Sequence, residues 1–167
     1  MNKITVNMTE EALFDFLLFH AYSKFSGFLI NILGMAVAFM GIIMYVTGKI
    51  SAVNVAFYLV AAAIFLGSNP LSLKLRAKKQ VKINPEYCQP VEYVFEEETG
   101  ITVRAGEEVK KYSWEEIQRA VVTPKTIGIY YEEERALIIP KTDFGDQFTE
   151  IFQMTAHNLG MNRMRMR

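Results

Sequence analysis

Residues 25–48, FSGFLINILGMAVAFMGIIMYVTG, and residues 50–73, ISAVNVAFYLVAAAIFLGSNPLSL, carry no charged side chain, and only Lys49 separates them. Each stretch is long enough to cross a hydrocarbon core of about 30 Å as a helix. Helices packed inside a water-soluble protein keep a polar stripe, whereas these are apolar on every side. A cleaved signal peptide would place a shorter apolar run directly behind a basic start. Here the first stretch begins late and a second follows at once. The reading is a two-helix transmembrane hairpin over residues 25–73, with spans at about 26–47 and 51–72, retained in the mature protein.

The flanks set the expected orientation. Lys74, Arg76, Lys78 and Lys79 follow the second span, while the connecting loop offers only Lys49, so both ends are expected to face the cytoplasm. Gly34, Ala38 and Gly41 share one face of the first helix, and Ala56, Ala63 and Gly67 one face of the second; such small residues let helix backbones approach closely. Neither span contains a carboxylate, histidine or base to relay a proton or ion, which argues against transport by a single copy. Before the first span, residues 1–24 read as an amphipathic helix: Thr9 is a candidate N-cap, Glu10 and Glu11 suit the first turn, and a dense apolar run follows. His20 near its end is the residue type whose charge changes near neutral pH.

After Lys79 the pattern changes to short segments of period two, so residues 80–160 are expected to form a separate, mostly β domain. Strands are expected at Val91–Glu96, Ile101–Arg104, Val109–Tyr112, Arg119–Thr123, Thr126–Tyr131 and Ala136–Ile139, with a further one at Gln80–Ile83. Ser113 and Glu116 have capping-box spacing and predict a helical or 3₁₀ turn, with Trp114 as a core anchor. From Asp143 the residues Phe144, Phe148, Ile151, Phe152, Thr155 and Leu159 fall at helical spacing up to Gly160, which predicts one amphipathic C-terminal helix with Phe144 and Phe148 in the core. Residues 161–167, MNRMRMR, form a basic tail whose Arg163, Arg165 and Arg167, like the lysine cluster after the second span, can attract anionic lipid at about 1 kcal/mol each.

The segments MTEEALFDFLLFHAYSK, EYVFEEETGITVR, KKYSWEEI and ALIIPKTDF, in this order around two spans, resemble the YcxB-like family of bacterial membrane proteins. The likeness extends over nearly the whole chain. It implies a multi-pass protein of the bacterial cell (inner) membrane with a pleckstrin-homology-like cytosolic domain, in which six to seven antiparallel strands form a roll capped by the C-terminal helix. The resemblance carries no reaction and no catalytic, cofactor or metal residues.

Function classes follow by elimination. Lys and Arg number 18, as do Asp and Glu, so there is no general field for nucleic acid. One cysteine, Cys88, can form no internal disulfide and has no metal-ligand spacing around it. Ser113, His157, Asp15, Asp143 and Asp146 are the pieces from which a hydrolytic site could be built, but none sits in a catalytic motif, so no enzyme is expected. A phosphoinositide reader would want bases in the loop between its first strands, and the loop expected there is Glu96-Glu97-Glu98-Thr99-Gly100. The expectation is therefore a domain, tethered to the lipid bilayer, that binds a protein partner. A second reading makes the chain a subunit of a membrane complex that assembles through its spans with other proteins or further copies.

Overall fold

The protein was analysed as a computed structural model, which describes residues 1–23 and 25–166. Two compact units emerge: Leu17–Arg76 forms one, and Met1–Phe16 together with Ala77–Arg167 forms the other.

The second unit is a β roll, and its first strand is β1, Asn2–Val6. This corrects the expectation that residues 1–24 hold a helix alone; the helix α1 spans Glu10–Ser23, capped as expected by Thr9, whose Oγ1 accepts the Ala12 N–H at 3.1 Å, and Lys24 lies outside the described residues. In β1 side chains alternate, Ile4 and Val6 buried and Lys3 and Thr5 exposed, as a strand with one solvated face requires. Its partner is β2, Val91–Glu96, in antiparallel register with Ile4 opposite Tyr93 and Val6 opposite Val91. On the outer face Lys3 and Arg104 both pair with Glu92, and the bond from Lys3 holds that carboxyl below its usual range. The strands β3, Gly100–Ala105, and β4, Glu108–Tyr112, complete a sheet of order β1-β2-β3-β4. A second sheet contains β5, Arg119–Val122, β6, Thr126–Tyr130, β7, Ala136–Pro140, and β8, Met164–Met166, in the order β7-β6-β5-β8.

Between the sheets lies one core that includes Phe95, Ile101, Trp114, Ile117, Ile129, Ile139, Phe144 and Ile151. Trp114 is buried with its indole N–H donated to the Glu96 carbonyl at 2.9 Å. Ser113 and Glu116 do exchange capping bonds, Ser113 N–H to the Glu116 carboxylate at 2.8 Å and Glu116 N–H to Ser113 Oγ at 3.4 Å, yet they close a turn and no helix grows from it. The C-terminal α-helix α5 is Phe148–Leu159, not a helix from Asp143. Lys141–Gln147 forms 3₁₀ turns broken at Gly145, whose φ of 53° lies in the left-handed region that a glycine adopts without strain. Phe144 is buried and Phe148 partly so.

The start of α1 is bolted to the second sheet. The Asp15 carboxylate accepts from Thr123 Oγ1 and from the Lys125 N–H at 3.1 Å, and Thr123 also bonds Thr126 at both its carbonyl and its hydroxyl. Lys125 pairs with Glu11, one turn before Asp15, at 2.7 Å, and the bond raises the lysine's pKa. The Phe16 ring packs against Gly128: a Cβ there would sit 2.3 Å from Phe16 Cε2, so a larger residue would displace the ring.

The other unit contains α2, Phe25–Val46, and α3, Ala52–Ile83, as far as Arg76. The strand expected at Gln80–Ile83 is absent, because α3 continues through it. Asn84 N–H still bonds the Gln80 carbonyl at 2.8 Å, and the helix stops because Asn84 precedes Pro85. A short helix α4, Pro85–Cys88, leads into β2. Both long helices pass the length and apolarity needed to cross a membrane, with mean hydropathy 2.2 and 1.7 and only 11% and 6% of those windows buried.

The connection from β1 to β2 is thus residues 7–90, and the roll is complete only when strands from both ends of that stretch pair. A chain of residues 80–167 lacks Ile4 and Val6 and leaves β2 as a bare edge. Each fully buried side chain of this kind contributes about 1.5–3 kcal/mol. Residues 80–167 alone are expected to unfold at distinctly lower denaturant than residues 1–16 joined to 77–167 by a flexible linker; equal midpoints would remove β1 from the fold.

Candidate functional site

Where β1 and β2 meet their connectors, the two sheets part to leave a cavity of about 50 Å³. By this measure about 10–15 Å³ holds one water, so this is room for a few waters or a small group. Tyr93 of β2, Tyr112 of β4, Tyr131 just after β6 and Tyr87 of α4 line it, above an apolar floor that includes Val103 and Leu137. Tyr93 is nearly fully buried because it alternates in phase with Val91 and Phe95. The rings of Tyr112 and Tyr131 lie 4.7 Å apart, inclined by 38°. Across the mouth Lys110 Nζ meets the Glu86 carboxylate at 3.0 Å, with Glu108 at 3.6 Å. Asn84 holds α4 in place, its side-chain carbonyl accepting the Glu86 N–H at 3.1 Å.

Both connectors contribute walls: Val6 and Met8 on the way out of β1, Glu86 and Tyr87 on the way into β2. A group seated in the cavity therefore touches both segments through which the chain leaves and re-enters the roll. Chemically the lining offers phenol hydroxyls, ring faces and one exposed lysine–carboxylate pair. Burial pushes the phenols of Tyr93, Tyr87 and Tyr112 up, with Glu86 adding to the effect at Tyr87 and Tyr131 at Tyr112. The hydrogen bond that Lys110 donates to the Glu86 carboxylate raises the lysine's pKa.

The residues singled out by the sequence fall elsewhere. Lys74, Arg76, Lys78 and Lys79 are exposed along α3. Arg163 reaches the Ile117 carbonyl at 3.5 Å, Arg165 lies opposite Val121 in the β5–β8 ladder, and Arg167 lies outside the described residues. The segment expected to be a basic tail is therefore largely a 3₁₀ turn and strand β8. On the helix pair, Gly34 faces Leu66 and Phe65, and Gly41 faces Tyr58; Ala38 is half-buried. Ala56, Ala63 and Gly67 are exposed, and a Cβ on Gly67 would meet open space. On this stretch of α3 Ala62 is buried instead, because the face meeting α2 runs through Tyr58, Ala62 and Leu66, one helical step from the expected one.

The pieces of a hydrolytic site are also dispersed. Ser113 is taken by Glu116, Asp15 by the Thr123–Lys125 turn, and Asp143 by the Asn7 N–H at 2.7 Å. His157 is exposed on α5, as is Cys88, whose Sγ lies 3.3 Å from the Val81 carbonyl. Sequence reading missed the tyrosine cavity. Tyr93 shows the inward phase of its strand, but nothing local reveals that Tyr87, Tyr112 and Tyr131 converge on it.

Comparison with known families adds one finding. The family model described as YcxB-like protein matches residues 97–154, from the β2–β3 turn into α5, a narrower span than that of the resembling segments. No curated protein and no solved structure matches.

The raised phenols imply an alkaline limit. In the unfolded chain tyrosines ionise near their ordinary value of 10.0, whereas the folded roll keeps them protonated to higher pH. Above about pH 10 the unfolded state thus binds fewer protons, and stability falls as pH rises. Denaturation midpoints measured from pH 8 to 11 are expected to drop above pH 10, and Tyr93→Phe is expected to flatten that drop. A Tyr93→Phe curve parallel to the parent's would contradict it.

Proposed function

We propose that this chain, in which residues 97–154 match the YcxB-like family, is a non-enzymatic membrane protein whose pleckstrin-homology-like roll binds a protein partner at the cytoplasmic surface. The observation that carries the reading is the β1–β2 pairing across residues 7–90. A chain that leaves a sheet and returns to pair with it crosses a bilayer an even number of times, which suits two spans and no more. Outward-facing Phe28, Leu33, Phe39, Ile43, Phe57 and Ile64 favour lipid around the helix pair, since apolar area in water costs about 25 cal/mol per Å². At 32 residues, α3 measures about 48 Å, longer than a hydrocarbon core, so its charged end from Lys74 emerges on the side that positive charge favours, the cytoplasm.

Two four-stranded sheets with a helix after the seventh strand support the pleckstrin-homology-like assignment. The order of strands also changes the argument about lipids. Glu96–Gly100 is the β2–β3 turn, and the connection after the first strand is the hairpin itself, so the loop with which such a roll would grip a headgroup is already used. What remains for a partner is sheet edge and helix face. A second reading, assembly through the spans, is favoured by the exposed face of Ala56, Ala63 and Gly67, which is free for another helix.

A photoreactive residue at Val109 or Lys111 on the exposed β4, and at Glu133, is expected to trap the same protein in intact membranes, with or without Gly67→Leu. Capture of lipid alone, or capture abolished by Gly67→Leu, would transfer the function to the spans.

A further inference from the structure

Among the described residues the edge strands are β1 and β4 in one sheet and β7 and β8 in the other, and the strand that β8 covers differs sharply from β4. β4 is exposed from Glu108 to Lys111 and carries Lys110 and Lys111, charges that discourage edge-to-edge pairing. β5 carries only apolar residues after Arg119, and Ala120, Val121 and Val122 are all buried. What covers its outer edge is β8, the chain's own Met164–Met166, running parallel with Ala120 opposite Met164 and Val122 opposite Met166.

The cover is lightly held. Its ladder is three residue pairs long, against four between β5 and β6, and parallel pairs are somewhat weaker per residue. Met164 is its one buried side chain, while Arg165 is exposed and Met166 is 64% exposed. It is reached from α5 through Gly160, at φ 76°, and a single 3₁₀ turn whose Arg163 N–H returns to the Gly160 carbonyl at 3.1 Å. If β8 lifts away, an apolar strand edge with unpaired backbone groups is left beside α5.

We propose that the β5 edge is a strand-accepting groove for an extended segment of a protein partner, and that Met164–Met166 is a resident strand which the partner replaces. The inference rests on the reading of the roll as a partner-binding module and names its docking surface. The resident strand states the chemistry of the ligand: an extended segment parallel to β5, with an unbranched apolar side chain in the place of Met164, an outward polar or basic residue after it, and no proline at ladder positions. While β8 is seated, apparent affinity is lowered by the fraction of chains in which the groove is closed.

The probe is a labelled peptide of residues 160–166, GMNRMRM, titrated against the full chain in nanodiscs, against a chain ended after Gly160, and against full-length Met164→Asp. Binding to both variants is expected to be at least about tenfold tighter than to the parent, and the peptide carrying Arg165→Pro is expected not to bind. Hydrogen exchange on the unmodified chain is expected to show the amides of Met164–Met166 opening while those of Ile127–Ile129 stay protected. The proposal is overturned if β8 opens only with β6, or if β8 opens alone but no variant with a protected β6 binds the peptide. A dimer of the parent that Met164→Asp dissolves would give the groove to a second copy and also overturn it. Trapping of a partner from β4 without peptide binding would sink the groove and leave the module reading standing; peptide binding with no partner trapped from any position would do the reverse.

Discussion

The pairing of Asn2–Val6 with Val91–Glu96 is the contact on which the rest of this structure depends. It buries Ile4 and Val6, gives β2 its second neighbour, and brings Lys3 to the Glu92–Arg104 pair. It also forces everything between, both long helices included, into a single excursion from one sheet. The entropic cost of closing so long a connection grows only with the logarithm of its length, and helices within it reduce the number of free residues. The kinetic consequence is larger: the first strand cannot find its partner until the whole hairpin has been made, so the roll is completed late.

The same constraint explains the position of the cavity. Because the chain leaves the first sheet at Val6 and returns to it at Val91, the two connectors necessarily lie side by side, and the cavity opens where they do. The Glu86–Lys110 pair is exposed and adds little stability by itself; its place is to tie α4 to β4 beside the cavity. On the opposite sheet, Asp15 and Phe16 fasten the start of α1 to the β5–β6 turn and to Gly128. Both exits from the roll are therefore attached by side chains as well as by the backbone.

How much of this could be read beforehand varied with the range of the interaction that decides each element. Absence of charge over residues 25–48 and 50–73 is a local property, and it was enough to find both long helices. Period-two alternation with Gly and Pro punctuation located β2 to β7 within a residue or two. β1 was lost because five residues of alternation are a weak signal beside the stronger helix pattern from Thr9 onward, and their partner lies far along the chain. β8 was lost for a similar reason: MRM has the right alternation but is defined only by β5. Gln80–Ile83 was misread because its apolar residues alternate, while the deciding feature, Asn84 before Pro85, stands just beyond. The packing face of α3 was missed by one step because small residues mark where a helix could approach, and the large Tyr58 and Leu66 opposite Gly41 and Gly34 settled where it does.

The measurement that tests the account most directly is disulfide trapping across the first sheet in membranes, in a Cys88→Ser background. Thr5 and Glu92 are direct partners in the ladder. With Thr5→Cys and Glu92→Cys together, mild oxidation should give one rapid intramolecular disulfide, while Thr5→Cys with Lys111→Cys should give none. Failure of the first pair to close, or closure only between chains, would show that the strand preceding the hairpin does not complete the sheet that follows it.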